Sequence, residues 1–269
     1  RDLHTAYRRQ RQRGIRDRLH DEQARRDKKD HGEHLLCTQG GLQKRAAKMK
    51  TDLKLVAKYL GFGNKQPDER TKHDMERIAA QFEQAITGKW TYGHYLLDHS
   101  VEGLITLEGT AVVLEGKSIT RTLKRCKEVY IMVCTLGVQG DLLIERNKMM
   151  SPTLGMIADA CASAFVETIA DSCQQEIESQ LPAGAALTFR YAPGYGDLPL
   201  ATNKTLLGEL QSDKRIGVHL TDSMLMTPRK SIVAILGVLE EGISKGKNHR
   251  CGNTSCSECD LNDSCTARS

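Results

Sequence analysis

One run of residues limits the fold more than any other. Val129-Tyr130-Ile131-Met132-Val133-Cys134-Thr135 is apolar with no alternation. A strand with one wet face alternates polar and apolar residues, so this run predicts a strand buried on both faces. Leu104-Ile105-Thr106-Leu107 and Ala111-Val112-Val113-Leu114 are also strand-like, broken by Glu108-Gly109 and closed by Glu115-Gly116. Further strands are expected at the head of 187–200, at 216–221 and at 230–238, the last around Ile232-Val233-Ala234-Ile235-Leu236.

Between these stretches the apolar period changes to three and four. Leu42, Ala46, Met49, Leu53, Val56 and Leu60 predict a helix over 43–60, stopped by Gly61 and Gly63. Met75, Ile78, Ala79, Phe82 and Ile86 predict a second over 69–86. Shorter helices are expected at 119–125, capped by Ser118, and near 205–210, with another at 138–150. The longest is 153–180, where Ile157, Cys161, Phe165, Ile169 and Cys173 recur every four residues. That is a core-facing stripe, and its cysteines are small buried hydrophobes. Cys134, inside the apolar strand, is a packing residue on the same grounds. Helices and strands mix without strict βα alternation, so the fold class is α+β with a largely antiparallel sheet and flanking helices.

The composition, 39% apolar and 27% charged, is that of a globular chain and excludes collagen-like, mucin-like and wholly disordered classes. No apolar run approaches the roughly 18 residues of a membrane span. No N-terminal stretch has the apolar core of a signal peptide, so a cytoplasmic setting is expected. The net charge of +5 is unevenly placed. Residues 1–50 carry 15 Lys and Arg against 7 Asp and Glu, and the rest carries 24 against 27. The first segment has too few apolar side chains to offset its ordering entropy and is expected to be a disordered basic extension. It also has too few aromatics for a base-stacking surface, which disfavours nucleic acid as a partner. The expected organisation is an extension over 1–50, a domain over 51–242, and a linker with a cysteine-rich tail over 243–269.

The segment Arg190-Tyr191-Ala192-Pro193-Gly194-Tyr195-Gly196-Asp197-Leu198-Pro199-Leu200 has two glycines and two prolines in eleven residues. Glycine lets main chain approach a ligand, and proline stiffens the path. An arginine at its head is a natural partner for a carboxylate. The two tyrosines offer flat faces and hydroxyls. Such a loop is either shaped around a small anionic or zwitterionic molecule or is a structural turn with a surface arginine. Asp197 either touches that ligand or satisfies loop amides. His94 and His99 read as ordinary polar residues.

Arg190 through Tyr195, R-x-x-P-G-Y, resembles the S-adenosylmethionine-binding activation domain of cobalamin-dependent methionine synthase. The resemblance continues through Gly217-Val218, Leu220-Thr221-Asp222-Ser223, Met226, Pro228 and Ser231. In the long helix, Ala158-Asp159 and Ala162-Ser163-Ala164-Phe165-Val166-Glu167 are similar to the family's A-D-x-x-A-E-A-F-x-E run. Ser163 replaces the first glutamate of that run, and Glu167 keeps the second. Gly196-Asp197-Leu198-Pro199 stands where the full-length enzymes carry P-A-C-P and a histidine. The wording from Gly194 to Leu200 looks like the stand-alone form of the domain.

The resemblance implies an α+β domain whose twisted antiparallel sheet carries S-adenosylmethionine in a shallow groove. It implies a ligand site of Glu167, Arg190, Ala192, Pro193, Gly194, Tyr195 and Asp197, with Arg190 on the ligand carboxylate. It implies a partner that carries cobalamin and a flavodoxin- or ferredoxin-type electron donor. After cobalt falls to the inert Co(II) state the donor reduces it, and the methyl group of S-adenosylmethionine goes to Co(I). The chain is then a component of a methyltransferase, and its own work is positioning. Two alternatives are a reactivating or electron-delivering protein for another corrinoid methyltransferase and a non-catalytic binding module for S-adenosylmethionine or a corrinoid protein.

Cys251, Cys256, Cys259 and Cys265 put four thiols in fifteen residues. Four thiolates close a tetrahedral zinc site or hold an iron–sulfur cluster, and the spacing does not decide between them. The alternative is a tail of free thiols.

Overall fold

The computed structural model describes residues 49–63 and 65–239. The expected basic extension up to residue 48, the linker and the cysteine tail lie outside the described residues.

Asp52 opens the first helix, α1 (Leu53–Tyr59), and accepts from the amides of Lys54 and Leu55 at 2.9 and 3.2 Å. The predicted helix ran back to residue 43; among the described residues it starts only after this cap. Asp68 opens α2 (Glu69–Ala85) in the same way through Thr71. The chain then forms β1 (Lys89–Asp98), β2 (Leu104–Leu107), β3 (Val113–Glu115), α3 (Lys117–Leu123), β4 (Cys126–Thr135), α4 (Val138–Met150) and α5 (Pro152–Glu178). It ends with β5 (Ala186–Leu187), α6 (Thr202–Glu209), α7 (Ser212–Ile216), β6 (His219–Leu220), β7 (Met226–Thr227) and β8 (Ser231–Leu239).

Six strands form one sheet in the order β3-β2-β1-β4-β8-β5, and every pairing is antiparallel. The fold is α+β, as expected. The apolar run is β4, and it sits in the middle, between β1 and β8. Its period of two divides it between two cores. Tyr130, Met132 and Cys134 face the layer of α1, α2 and α5, with Trp90, Tyr92, Ala234 and Leu236 beside them. Val129, Ile131 and Val133 face the opposite core, with Ile119 and Leu123 of α3 and Leu206 and Leu207 of α6. Both faces are covered, which is why the run has no polar alternation.

The α5 stripe from Ile157 to Cys173 is buried against the sheet. By length and composition α5 is the one described helix long and apolar enough to cross a membrane, yet it is the core helix of this layer. Burial raises the Cys161 thiol to about 12 and the Cys126 thiol to about 11, which leaves neither as a nucleophile near neutral pH. Two expected strands are shorter than predicted: β5 has two residues, and within 216–221 Ile216 ends α7 and only His219 and Leu220 form strand, as β6.

Candidate functional site

After β5 the chain keeps beside β8 without forming regular strand. The Thr188 amide donates to the Gly237 carbonyl at 2.8 Å, and Tyr191 exchanges two main-chain bonds with Ile235 at 2.9 and 2.7 Å. Alternation along this edge sends neighbouring side chains to opposite faces. Tyr191 enters the α3–α6 core, where it is fully buried. Arg190 goes to the other face and meets α5. One atom of its guanidinium, Nη2, donates to Glu167 Oε2 at 3.1 Å and to Asp171 Oδ1 at 2.9 Å.

Glu167 and Asp171 are one helical turn apart, so both carboxylates converge on the same nitrogen. The other terminal nitrogen, Nη1, is buried and has no hydrogen-bond partner. A buried donor left in that state costs about 1–3 kcal/mol. The three side chains together carry one positive and two negative charges. The cluster therefore presents a donor for an anion beside two carboxylates.

Lys230, before β8, repeats the arrangement further along α5. Its Nζ donates to Asp159 at 2.9 Å and to Ser163 at 2.8 Å. Asp159, Ser163, Glu167 and Asp171 thus form a polar ladder at four-residue spacing. They are offset by two positions from the buried stripe of Ile157, Cys161, Phe165 and Ile169. Asp171 and Lys230 were not among the expected site residues. The four-residue spacing was the signal for Asp171; Lys230 had no local signal.

The loop beyond Arg190 is tied mainly to itself. The Tyr195 amide donates to the Ala192 carbonyl at 3.0 Å, and the Gly194 amide donates to the Leu198 carbonyl at 2.8 Å. The Tyr191 hydroxyl donates to the Tyr195 carbonyl at 3.0 Å, and the two rings meet edge to face at 5.8 Å. Gly196 has φ of +56°, and a Cβ there would lie 2.7 Å from the Tyr191 hydroxyl, so both conformation and space require glycine.

Asp197 settles a second point. Its Oδ2 accepts from the Lys117 amide at 2.6 Å, and its Oδ1 accepts from the Ser118 amide at 3.1 Å. Ser118 is therefore not the cap of α3, as expected, but lies inside its first turn. The residue preceding α3 is Gly116, which has no side chain to cap with, and Asp197 supplies the acceptors from eighty residues away. Of the two roles open to Asp197, the structure shows the satisfaction of amides. Burial alone would raise the Asp197 carboxyl; the amides of Ser118 and Lys117 outweigh it and hold it below 3.8. A folded-state value below the unfolded one gives stability that is present above the ordinary aspartate range and is lost as pH falls through the lowered value. Asp197→Ala is expected to lower stability by about 1 kcal/mol near neutral pH. In urea melts the gap between variant and parent should close below the ordinary aspartate pKa. A gap that stays constant with pH would show that the carboxylate is not the capping group.

Ring nitrogens of both histidines are engaged. His94 Nε2 lies 2.8 Å from Glu128, with its ring stacked on Tyr130 at 4.4 Å. His99 Nε2 donates to the Cys126 carbonyl at 3.0 Å. Among the described residues no group of three or more His, Cys, Asp or Glu is placed to hold a metal ion. The metal expected at Cys251, Cys256, Cys259 and Cys265 lies outside the described residues.

The fold and the cluster define an α+β domain that holds an arginine and two carboxylates together against one core helix. Residues 145–242, which include α5, the loop and β8, match the family model described as vitamin B12 dependent methionine synthase, activation domain. Over those residues the chain is similar to that family's activation domain. The fold is shared with the crystal structure of the MetH reactivation domain bound to AdoHcy, at a TM-score of 0.55 and 14% identity, over 79% of this chain and 81% of that one. No curated protein matches the chain.

Proposed function

We propose that the chain binds S-adenosylmethionine at the Arg190 cluster and presents it to a partner that carries cobalamin, as the activation subunit of a split methionine synthase. The observation that carries this reading is the buried, unpartnered Nη1 of Arg190 beside the Glu167–Asp171 pair. An α-amino acid end fits that pattern: its carboxylate accepts from Nη1, and its ammonium faces the carboxylate pair. The sequence wording from Gly194 to Leu200 supports the stand-alone form.

Cobalamin, when the partner holds it, supplies the methyl-accepting metal centre. The residues of this chain bind and orient the donor. Arg190 anchors its amino-acid end. The internally bonded stretch Ala192–Leu198 keeps a fixed path, so that main chain and the half-exposed Tyr195 ring line the rest of the ligand without reorganising. Asp197 contributes through the loop it pins to α3.

Calorimetric titration of S-adenosylmethionine against 5′-methylthioadenosine, which lacks the amino-acid end, tests this under anaerobic conditions. The full ligand is expected to bind at least about tenfold more tightly, the equivalent of one charge-assisted hydrogen bond. Absence of binding, or equal binding of the two, overturns the reading. A second reading rests on the spacing of Cys251, Cys256, Cys259 and Cys265. There the tail holds zinc or an iron–sulfur cluster and serves electron delivery to a corrinoid partner. Metal analysis and the visible spectrum of anaerobically purified protein separate the two metals, and a metal-free tail removes this reading.

A further inference from the structure

We infer that Asp171 is the positioning residue that makes the Arg190 site select ligands carrying an α-amino acid. This inference rests on the ligand reading proposed above. Nη2 of Arg190 is shared by two carboxylates that differ in bond length, reach and exposure. Asp171 has the shorter bond, 2.9 Å against 3.1 Å, and the less exposed side chain, 27% against 34%. It also has the shorter side chain and less freedom to turn away from α5. Glu167 has one more methylene and more solvent, so it is the arm that can turn toward a ligand ammonium while Asp171 keeps hold of the guanidinium.

A guanidinium is planar and rigid, so fixing Nη2 fixes the direction of Nη1. That direction is the one in which the buried Nη1 has no protein acceptor. The Asp171 carboxylate therefore sets where a ligand carboxylate must sit, without touching the ligand itself. Loss of the tether leaves Arg190 charged and present but free to fold fully onto Glu167. That would use up the group expected to meet the ligand ammonium.

The test measures affinity for S-adenosylhomocysteine and for 5′-methylthioadenosine in the full chain and in Asp171→Asn. The parent should prefer S-adenosylhomocysteine, and Asp171→Asn should reduce that preference by roughly tenfold, the scale of one charge-assisted contact. Affinity for 5′-methylthioadenosine should be unchanged, and Asp171→Glu should recover part of the preference. In an Arg190→Lys background, where the rigid fork is gone, Asp171→Asn should have little further effect. An Asp171→Asn protein that binds both ligands as the parent does overturns the inference. So does one that loses both equally, since that marks a general structural role. A parent that binds neither overturns the ligand reading itself, a result distinct from the first two.

Discussion

Replacing Arg190 with alanine is expected to weaken S-adenosylmethionine binding by roughly 100-fold or more, with a much smaller effect on folding. The binding loss has two sources. Charge-assisted hydrogen bonds from the guanidinium to a carboxylate contribute about 1.5–3 kcal/mol, or roughly 10- to 150-fold in affinity. The second source is what remains. Glu167 and Asp171 face the site with no cation between them, and they repel the same ligand carboxylate that Arg190 held. For folding, the like charges one turn apart on α5 cost only a few tenths of a kcal/mol. Removal of the buried, unpartnered Nη1 offsets that cost. The stability change should therefore be small while the affinity change is large. Arg190→Lys should fall between, because an ammonium keeps the charge and loses the fork. Calorimetry and thermal melts on the same preparations read both quantities. Unchanged affinity in Arg190→Ala would place the ligand elsewhere on the domain.

The sequence carried this site unevenly, and the reasons are physical. Arg190 and the glycines of its loop were legible because conformation and charge there are local properties. Gly196 sits at a positive φ that favours glycine on local grounds. The buried stripe of α5 was legible because a periodicity of four over five residues has no other simple cause. The polar ladder of Asp159, Ser163, Glu167 and Asp171 uses the same spacing on the side of the helix away from that stripe. It was read only where a family resemblance pointed, so Asp171 was missed. Amide satisfaction was one of the two roles legible for Asp197, but its target, the start of α3, was not. The contact joins residues eighty apart, and Ser118 offered a plausible local cap that the tertiary contact displaced. Strand β1 was not among the expected strands. Gly93 and His94 interrupt its apolar pattern, and its identity comes from eight register pairs with β4. The two-residue strands were overestimated for the converse reason: Tyr191 is β-like and buried but makes one isolated bridge.

Phe165→Ala should be the most destabilising of the changes considered, by about 3–5 kcal/mol. Phe165 is 2% exposed and sits mid-stripe on α5, in the core that joins α1, α2 and α5 to the sheet. Alanine keeps the helix propensity and removes the ring, so the cost comes from lost burial and an unfilled cavity. Domains are stable by about 5–15 kcal/mol, so the variant gives up a large share of its margin. At about 2–4 °C per kcal/mol for a domain of this size, the melting temperature should fall by roughly 6–20 °C. Phe165→Leu keeps most of the apolar volume and should cost clearly less. The position ties core to site, because Glu167 and Asp171 follow it by two and six residues on the same helix. Relaxation of α5 into the cavity would move both carboxylates relative to Arg190, which is held independently by the edge of β8. The expected signature is therefore a folded but less stable protein, below its lowered melting point, whose preference for the amino-acid-bearing ligand is also reduced. A normal melt would show that α5 is not pinned at Phe165. A lowered melt with an intact ligand preference would show that the carboxylate pair holds its place without the core beneath it.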